Sequence, residues 1–452
     1  MEIFSMKNRS IALALVVSLV LVLVVIVGFS IFGGTAALPP LSGYGTDPKL
    51  PTPDQRLIPV INVANATGWQ NGEKPIAAES LQVTPFASGL NHPRWLYVLP
   101  NGDVLVAETN APANRPEDAK GIKGWFFNLF QKKAGAAVPS ADRITLLRDA
   151  DGDGVAETKS VFLDGLNSPF GMVLVGDVFY VANTDAVVSF PYIEGETKIT
   201  AEPTKITDLP AGSINHHWTK GLVANTDGTK LYVSVGSNSN VAENGLAAEE
   251  ERAAIWEVDL ETGSHRIFAS GLRNPVGMAW EAESGALWVV VNERDELGND
   301  LVPDYMTAVQ DGGFYGWPFS YYGDHVDTRV SPQNPELVAS AFVPDYALGS
   351  HTAPLGLTSS FGNTLPAQFE NGMFVGQHGS WNREPRNGYR VIFVPFTNGM
   401  PSGDPIEVLT GFIKDGSDDA MGRPVGVAID KLGALLVVDD VGNVIWRVTM
   451  AP

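Results

Sequence analysis

The sequence predicts an all-β chain folded as a six-bladed β-propeller, carried behind an N-terminal transmembrane anchor. Three observations predict it: a pattern centred on Pro-x-Gly-apolar recurs six times with small variations, each copy carries the signature of a β-hairpin, and one uninterrupted apolar run lies near the N-terminus. Radially repeated four-stranded sheets around a channel are the arrangement that such an array forms.

The anchor comes first. From Ile11 to Phe32 the chain is almost purely apolar, preceded by Lys7 and Arg9, and no further charge occurs before Asp47. A bilayer takes about 20 such residues, and the run exceeds the roughly 7–15 of a signal-peptide core. Residues 1–33 therefore read as a cytoplasmic tail and an uncleaved signal anchor, and the N-terminal basic flank leaves everything beyond Phe32 outside the cytoplasm, periplasmic or on the cell surface. A long cleavable signal ending near Ala36–Ala37 is the other reading and gives the same compartment. Residues 34–80, rich in Pro, Gly, Thr and Asn, read as a linker, and residues 81–452 as the propeller.

The copies begin at Leu90, Leu166, His216, Leu272, His351 and Met421. Within them, period-2 alternation rich in Val, Tyr and Trp flanks a Gly- or Asn-bearing turn, which is a hairpin pattern. TKSVFLDGL, TKITDLP, HRIFASGL and IEVLTGF read as outer strands. LQVTPFASGL, from Leu81 to Leu90, resembles them but precedes the first copy, so it is expected to supply the outer strand of the last blade and tie the ring shut.

Composition narrows the chemistry. The chain has 452 residues, 44% hydrophobic and 18% charged, with 51 acidic against 30 basic side chains and no cysteine. That excludes disulfides, thiolate metal sites, iron–sulfur clusters and covalently attached c-type haem. A net charge of −21 argues against a general nucleic-acid binder. Against that background, alignment of the copies on Pro93, Pro169, Thr219, Pro275, Pro354 and Pro424 gathers His92, Arg94, Ser168, Phe170, His217, Trp218, Arg273, Asn274, His351, Thr352 and Arg423 around one mouth of the channel. Such a cationic ring suits an anionic ligand, although any single Arg or His there could simply bond loop carbonyls.

Other stretches could carry chemistry. Glu293, Asp295, Glu296, Asp300 and Asp304 follow the fourth hairpin at a density that suits a hard cation such as calcium, or a solvated face. Aromatic residues around Trp317 could wall a planar ligand or a sugar. Asp149, Asp151, Asp153 and Gly154 follow the order of a calcium loop, but Ser160 stands at its twelfth position and no helices flank it, which favours an ordinary Asp/Gly turn over a structural calcium site. His216 and His217 are adjacent, so one alone can face the channel; His217 holds the ring position and is the candidate general base. The insertion Gly121–Lys133 has apolar residues at helical spacing and reads as a lid, or as a surface helix for a membrane or a partner.

Taken together, GLRNPVGMAW, NERDELGNDLVPDY, GGFYGWP, HTAPLGL, GQHGSWNREPRNGYRV and GRPVGVAID resemble the pyrroloquinoline-quinone (PQQ)-dependent sugar dehydrogenases of the sorbosone dehydrogenase type, relatives of soluble quinoprotein glucose dehydrogenase. The likeness runs from Leu81 to the C-terminus. It implies PQQ over the channel mouth, calcium beneath a quinone oxygen, His217 as the base, and Arg273 and Asn274 on the cofactor, with Arg273 also stabilising charge on the quinone. It further implies calcium held by Glu293, Asp295 and Glu296, partly through backbone carbonyls, and Arg94, Arg383 and Arg423 as partners for PQQ carboxylates. The family's Asp before the base is His216 here, and a following Arg is Gly221. Glucose is thus not implied; an aldose, a sugar-derived aldehyde such as sorbosone, or another alcohol fits. With no haem of its own, such an enzyme would pass electrons to an external acceptor. A calcium-dependent sugar lactonase and a non-catalytic binding propeller are the alternatives.

Overall fold

The recurrence of Pro-x-Gly is explained by how neighbouring blades meet. In a computed structural model that describes residues 18, 34–56, 60–112 and 129–452, six antiparallel sheets surround one axis. Their innermost strands are Pro93–Val98, Met172–Val175, Leu222–Ala224, Asn274–Trp280, Pro354–Ser359 and Pro424–Ile429, here called blades I to VI in that order. A Cβ on Gly171 of blade II would lie 2.6 Å from the Leu222 Cβ of blade III; on Gly221, 2.3 Å from the Val276 carbonyl of blade IV. The same holds for Gly277 against blade V, at 2.5 Å from Leu355 O, and for Gly356 against blade VI, at 2.2 Å from Val425 O. Inner strands pack backbone to backbone at these glycines, and any side chain would spread the ring.

The first copy has Trp95 where the others have Gly. Its ring packs 4.7 Å from that of Phe170 of blade II, which in turn meets Trp218 of blade III edge-on at 6.2 Å. Aromatic bulk thus replaces close backbone contact on one side of the channel.

The ring closes as the sequence predicts. Leu81–Ser88 pairs antiparallel with Val444–Met450, Leu81 opposite Met450 and Ser88 opposite Val444. The first described strand of the propeller is thereby the outer strand of the last blade, which joins the two ends of the domain through a backbone ladder.

The stretch read as a linker is fastened to the propeller. Tyr44–Gly45 adds a fifth strand to the edge of blade IV, Ile76–Ala77 one to blade V, and Asn65–Ala66 pairs parallel with Asp419–Ala420. Tyr44, Val63 and Ala64 are buried. Each paired segment is two residues long, too short to give period-2 alternation, so composition alone made the stretch look like a tether. The apolar run 11–32, apart from Ser18, and residues 113–128, with most of the expected amphipathic insertion, lie outside the described residues. Among the described residues no helix is long and apolar enough to cross a membrane.

Candidate active site

The chain enters each inner strand from a tight turn, and in blades I, II and V the residue before the aligned proline, His92, Ser168 or Ala353, has a left-handed backbone with φ of 50°, 45° and 51°. Because the second strand of each blade runs antiparallel to the first, its C-terminal end comes back to the same mouth. Two sets of residues therefore meet: those before the inner strands, and those just past the second strands, Ser237, Glu293, His378 and Asp440. Alignment on proline gathers the first set but not the second, because the hairpins between the two positions differ in length from copy to copy.

His217 and Arg273 meet at this mouth. His216 is exposed and His217 largely enclosed, with His217 Nδ1 at 3.0 Å from Ser237 O and 2.9 Å from Ser237 Oγ. Burial of the imidazole, then the Arg273 charge and then His216, hold it well below the ordinary histidine value, so it is neutral at physiological pH. Arg273 is 3% exposed. Its guanidinium donates to Asn240 O and Oδ1, to Asn292 O, to Glu293 O at 2.7 Å and to Asp295 Oδ2 at 3.0 Å. Beside it, Asn274 Oδ1 is buried with no hydrogen-bond partner.

The expected calcium-binding trio is not assembled as three carboxylates. Asp295 spends its oxygens on Arg273, on Asn382 Nδ2 at 2.8 Å and on His351 Nδ1 at 3.5 Å; burial opposes its ionisation, but the Arg273 charge and the His351 contact outweigh it and hold the carboxyl well below the usual range. Glu296, with a left-handed backbone of φ 71°, turns to Arg329. Arg294, between Glu293 and Asp295, is buried and paired with Asp327. Of the three, Glu293 alone keeps a buried oxygen without a partner, Oε1, and burial pushes its carboxyl up to about 7. Asp304, which accepts Glu293 N at 2.8 Å, is likewise pushed by burial up to about 6.

Across the mouth, Asp440 draws in the residues of blades I and V. It pairs with Arg94 NH1, accepts from His378 Nε2 at 2.8 Å, and lies 4.0 Å from His92 Nε2. Arg423 stacks 5.2 Å over the Tyr389 ring and donates to Tyr389 Oη at 3.2 Å. Arg94 Nε, Arg423 Nε and Asp440 Oδ1 are all buried and unpartnered. Arg383 differs: 2% exposed, it donates to Asn299 O, Pro385 O and Asp300 Oδ1, and so braces the 299–300 loop. Trp317, in the aromatic stretch, donates Nε1 to Asn240 O at 2.9 Å and lines a cleft of about 310 Å³ with Glu249, Arg252, Phe314 and Phe319.

On the outer hairpin of blade I, Asp149, Asp151, Asp153 and Glu157 bring their carboxylate oxygens within 4.8 Å of one another. Glu157 was not among the residues that the loop pattern suggested. These oxygens cap backbone N–H groups of Ala150, Gly152, Asp153, Gly154 and Val155, as a tight acidic turn does.

Residues 141–309 and 332–451 match the TrAA12-like family. An uncharacterised protein of Borreliella burgdorferi is 26% identical over 63% of this chain and 76% of its own length. The pyrroloquinoline quinone-dependent pyranose dehydrogenase of Coprinopsis cinerea is 24% identical over 70% of this chain, which spans 44% of that enzyme's length. Among solved structures, a calcium structure of Trichoderma reesei Carbohydrate-Active Enzymes Family AA12 has a TM-score of 0.69 at 18% identity over 86% of this chain and 100% of its own. The holo PQQ domain of the Coprinopsis enzyme has a TM-score of 0.67 at 20% identity, again over 86% and 100%. Likeness at that identity establishes the shared propeller fold, and the match over more than half of the residues places this chain in the TrAA12-like family.

Proposed function

We propose that the chain is a PQQ-dependent oxidoreductase that oxidises a sugar or a sugar-derived aldehyde, with calcium at the cofactor and electrons passed to an external acceptor. One observation carries the reading. Five buried polar atoms on three blades, Arg94 Nε, Arg423 Nε, Asn274 Oδ1, Glu293 Oε1 and Asp440 Oδ1, lack partners. Buried polar groups are rarely left so, and a ring of them fits a bound polar ligand. Two guanidinium N–H donors suit the carboxylates of PQQ, and the free oxygen of Glu293 with loop carbonyls suits calcium. The Coprinopsis relative, named for its PQQ-dependent action on pyranoses, supports the same class.

When bound, PQQ and calcium would supply a polarised quinone that accepts two electrons with a hydride. The chain's own part begins at His217, whose neutral imidazole takes the substrate hydroxyl proton at Nε2. Arg273, fixed by the 292–295 loop, sets positive charge beside that base. Arg94, Asn274 and Arg423 orient the cofactor, and the Trp317 stretch forms an aromatic wall. The same proposal places the propeller on the extracytoplasmic side of a membrane, because of the apolar run from Ile11 to Phe32 and its basic flank.

The test is reconstitution of the full chain with PQQ and calcium, followed by dye-linked oxidation across a panel of aldoses and aldehydes. A PQQ spectral change with turnover on at least one substrate is expected; neither would overturn the reading. A His217→Ala variant with full activity would remove the base assignment alone.

A further inference from the structure

We infer that Ser237, braced by Ser239 and Glu249, is a positioning residue that fixes the His217 tautomer, putting the proton on Nδ1 and leaving Nε2 as the lone-pair nitrogen. The inference rests on the reading of His217 as the base. Its carrier is the direction of each hydrogen bond. Ser237 O, 3.0 Å from His217 Nδ1, is a carbonyl and can only accept. Ser237 Oγ, 2.9 Å from Nδ1, has one hydrogen, and that hydrogen is given to Ser239 O at 2.6 Å. Toward the imidazole both oxygens are acceptors, so Nδ1 must bear the hydrogen, and a neutral ring then carries its lone pair on Nε2.

The brace extends outward from there. Glu249, 8% exposed, accepts Asn238 N at 2.6 Å on one carboxylate oxygen and Ser239 Oγ at 2.5 Å on the other. Asn238 Nδ2 reaches Ile214 O at 2.7 Å, which ties this loop to the segment leading into His217, and Ser237 N donates to Arg273 O at 2.8 Å. The loop that chooses the tautomer is therefore joined to both residues at the reacting end. Nothing in the run Glu249–Glu251 sets its first member apart from a solvated acidic patch; burial alone reveals it.

Side-chain ¹⁵N spectra of the full chain labelled at histidine, without PQQ, test this directly, with the His217 signals identified by their loss in His217→Gln. The wild type is expected to show a protonated Nδ1 and an unprotonated Nε2. Glu249→Ala is expected to populate the Nε2-protonated form, Ser239→Ala to do so less, and Glu249→Gln to restore most of the wild-type pattern. On the reconstituted enzyme Glu249→Ala should lower kcat on the order of tenfold, with KM changed by less than about twofold, since a base in the wrong tautomer impairs proton transfer rather than binding. A wild-type Nε2-protonated ring, or a tautomer unmoved in both alanine variants, would overturn the inference. Because the spectra need no cofactor, they decide it even if the protein proves to have no PQQ-dependent turnover.

Discussion

Arg273 NH2 and Asp295 Oδ2 lie 3.0 Å apart, and this ion pair is one corner of a guanidinium that is built into the loop it supports. The remaining donors of Arg273 hold Asn240, Asn292 and Glu293, so the side chain is a strut as much as a charge. Lysine keeps the charge but not the planar fork. Arg273→Lys is therefore expected to weaken PQQ binding by about tenfold or more, read by quenching of tryptophan fluorescence, while the far-ultraviolet circular dichroism stays that of a β-propeller.

Arg423 and Arg383 are expected to divide cofactor binding from stability. Arg423 has an unpartnered buried Nε and long contacts to Gly379 O at 3.4 Å and Tyr389 Oη at 3.2 Å, so its donors are available to a ligand. Arg383 gives its donors to Asn299, Pro385 and Asp300. Arg423→Gln should lower PQQ affinity with little change in Tm. Arg383→Gln should lower stability by about 2–4 kcal/mol in urea denaturation, because buried carbonyls lose a charged donor, and affect affinity only through that loss. The reverse pattern would exchange their roles.

His92 and His378 give the fold a defined acid sensitivity. Burial, partly offset by Asp440 and reinforced by Arg94 and Arg423, pushes each imidazole down to about 4. As pH falls from about 6.5 toward 4, the unfolded chain takes up protons at these positions and the folded chain does not, so stability rises with pH over that window. The expected loss on acidification is about 1 kcal/mol per pH unit for each histidine. The double variant His92→Gln/His378→Gln should flatten this slope when unfolding is measured at a series of pH values; an unchanged slope would refute it.

Much of the fold was legible because a repeated pattern reports its own geometry. Pro-x-Gly marks where inner strands touch, and the stray strand from Leu81 had to find a partner at the other end of the chain. Tyr44 and Trp69, by contrast, sit in a segment with no period, and only tertiary contact gives them an address: Trp69 Nε1 donates to Asp439 Oδ2 at 2.7 Å, an interaction across 370 residues. At the candidate site, His217, Arg273 and Asn274 can be grouped from the sequence because they stand before or at the start of an aligned strand. Glu296 was misread because adjacency in sequence does not make carboxylates converge; its left-handed backbone sends it to Arg329 instead. Ser237, Asp440 and Glu249 carry no compositional signal, and only their contacts in the fold set them apart.

Gly236 separates crowding at the site from damage to the fold. It lies between the second strand of blade III and Ser237, and its φ is not in the left-handed region, so space rather than backbone conformation is what it provides. A Cβ there would stand 2.4 Å from His217 Cβ and 2.5 Å from Asn274 Oδ1. The first contact is to an atom next to the backbone, which no rotamer change can move, so the His217 loop or the strand must shift. Gly236→Ala is expected to lower kcat by about tenfold or more, through misplacement of His217, the proposed base, and stability by about 1–3 kcal/mol, the usual penalty for overpacking. Gly43→Ala is the matched control: its Cβ would meet nothing closer than Gly349 Cα at 3.6 Å, an ordinary contact. Turnover and thermal melting of the two variants, measured side by side, check the argument, and a Gly236→Ala enzyme as active as Gly43→Ala would show that the base is not confined as the structure places it.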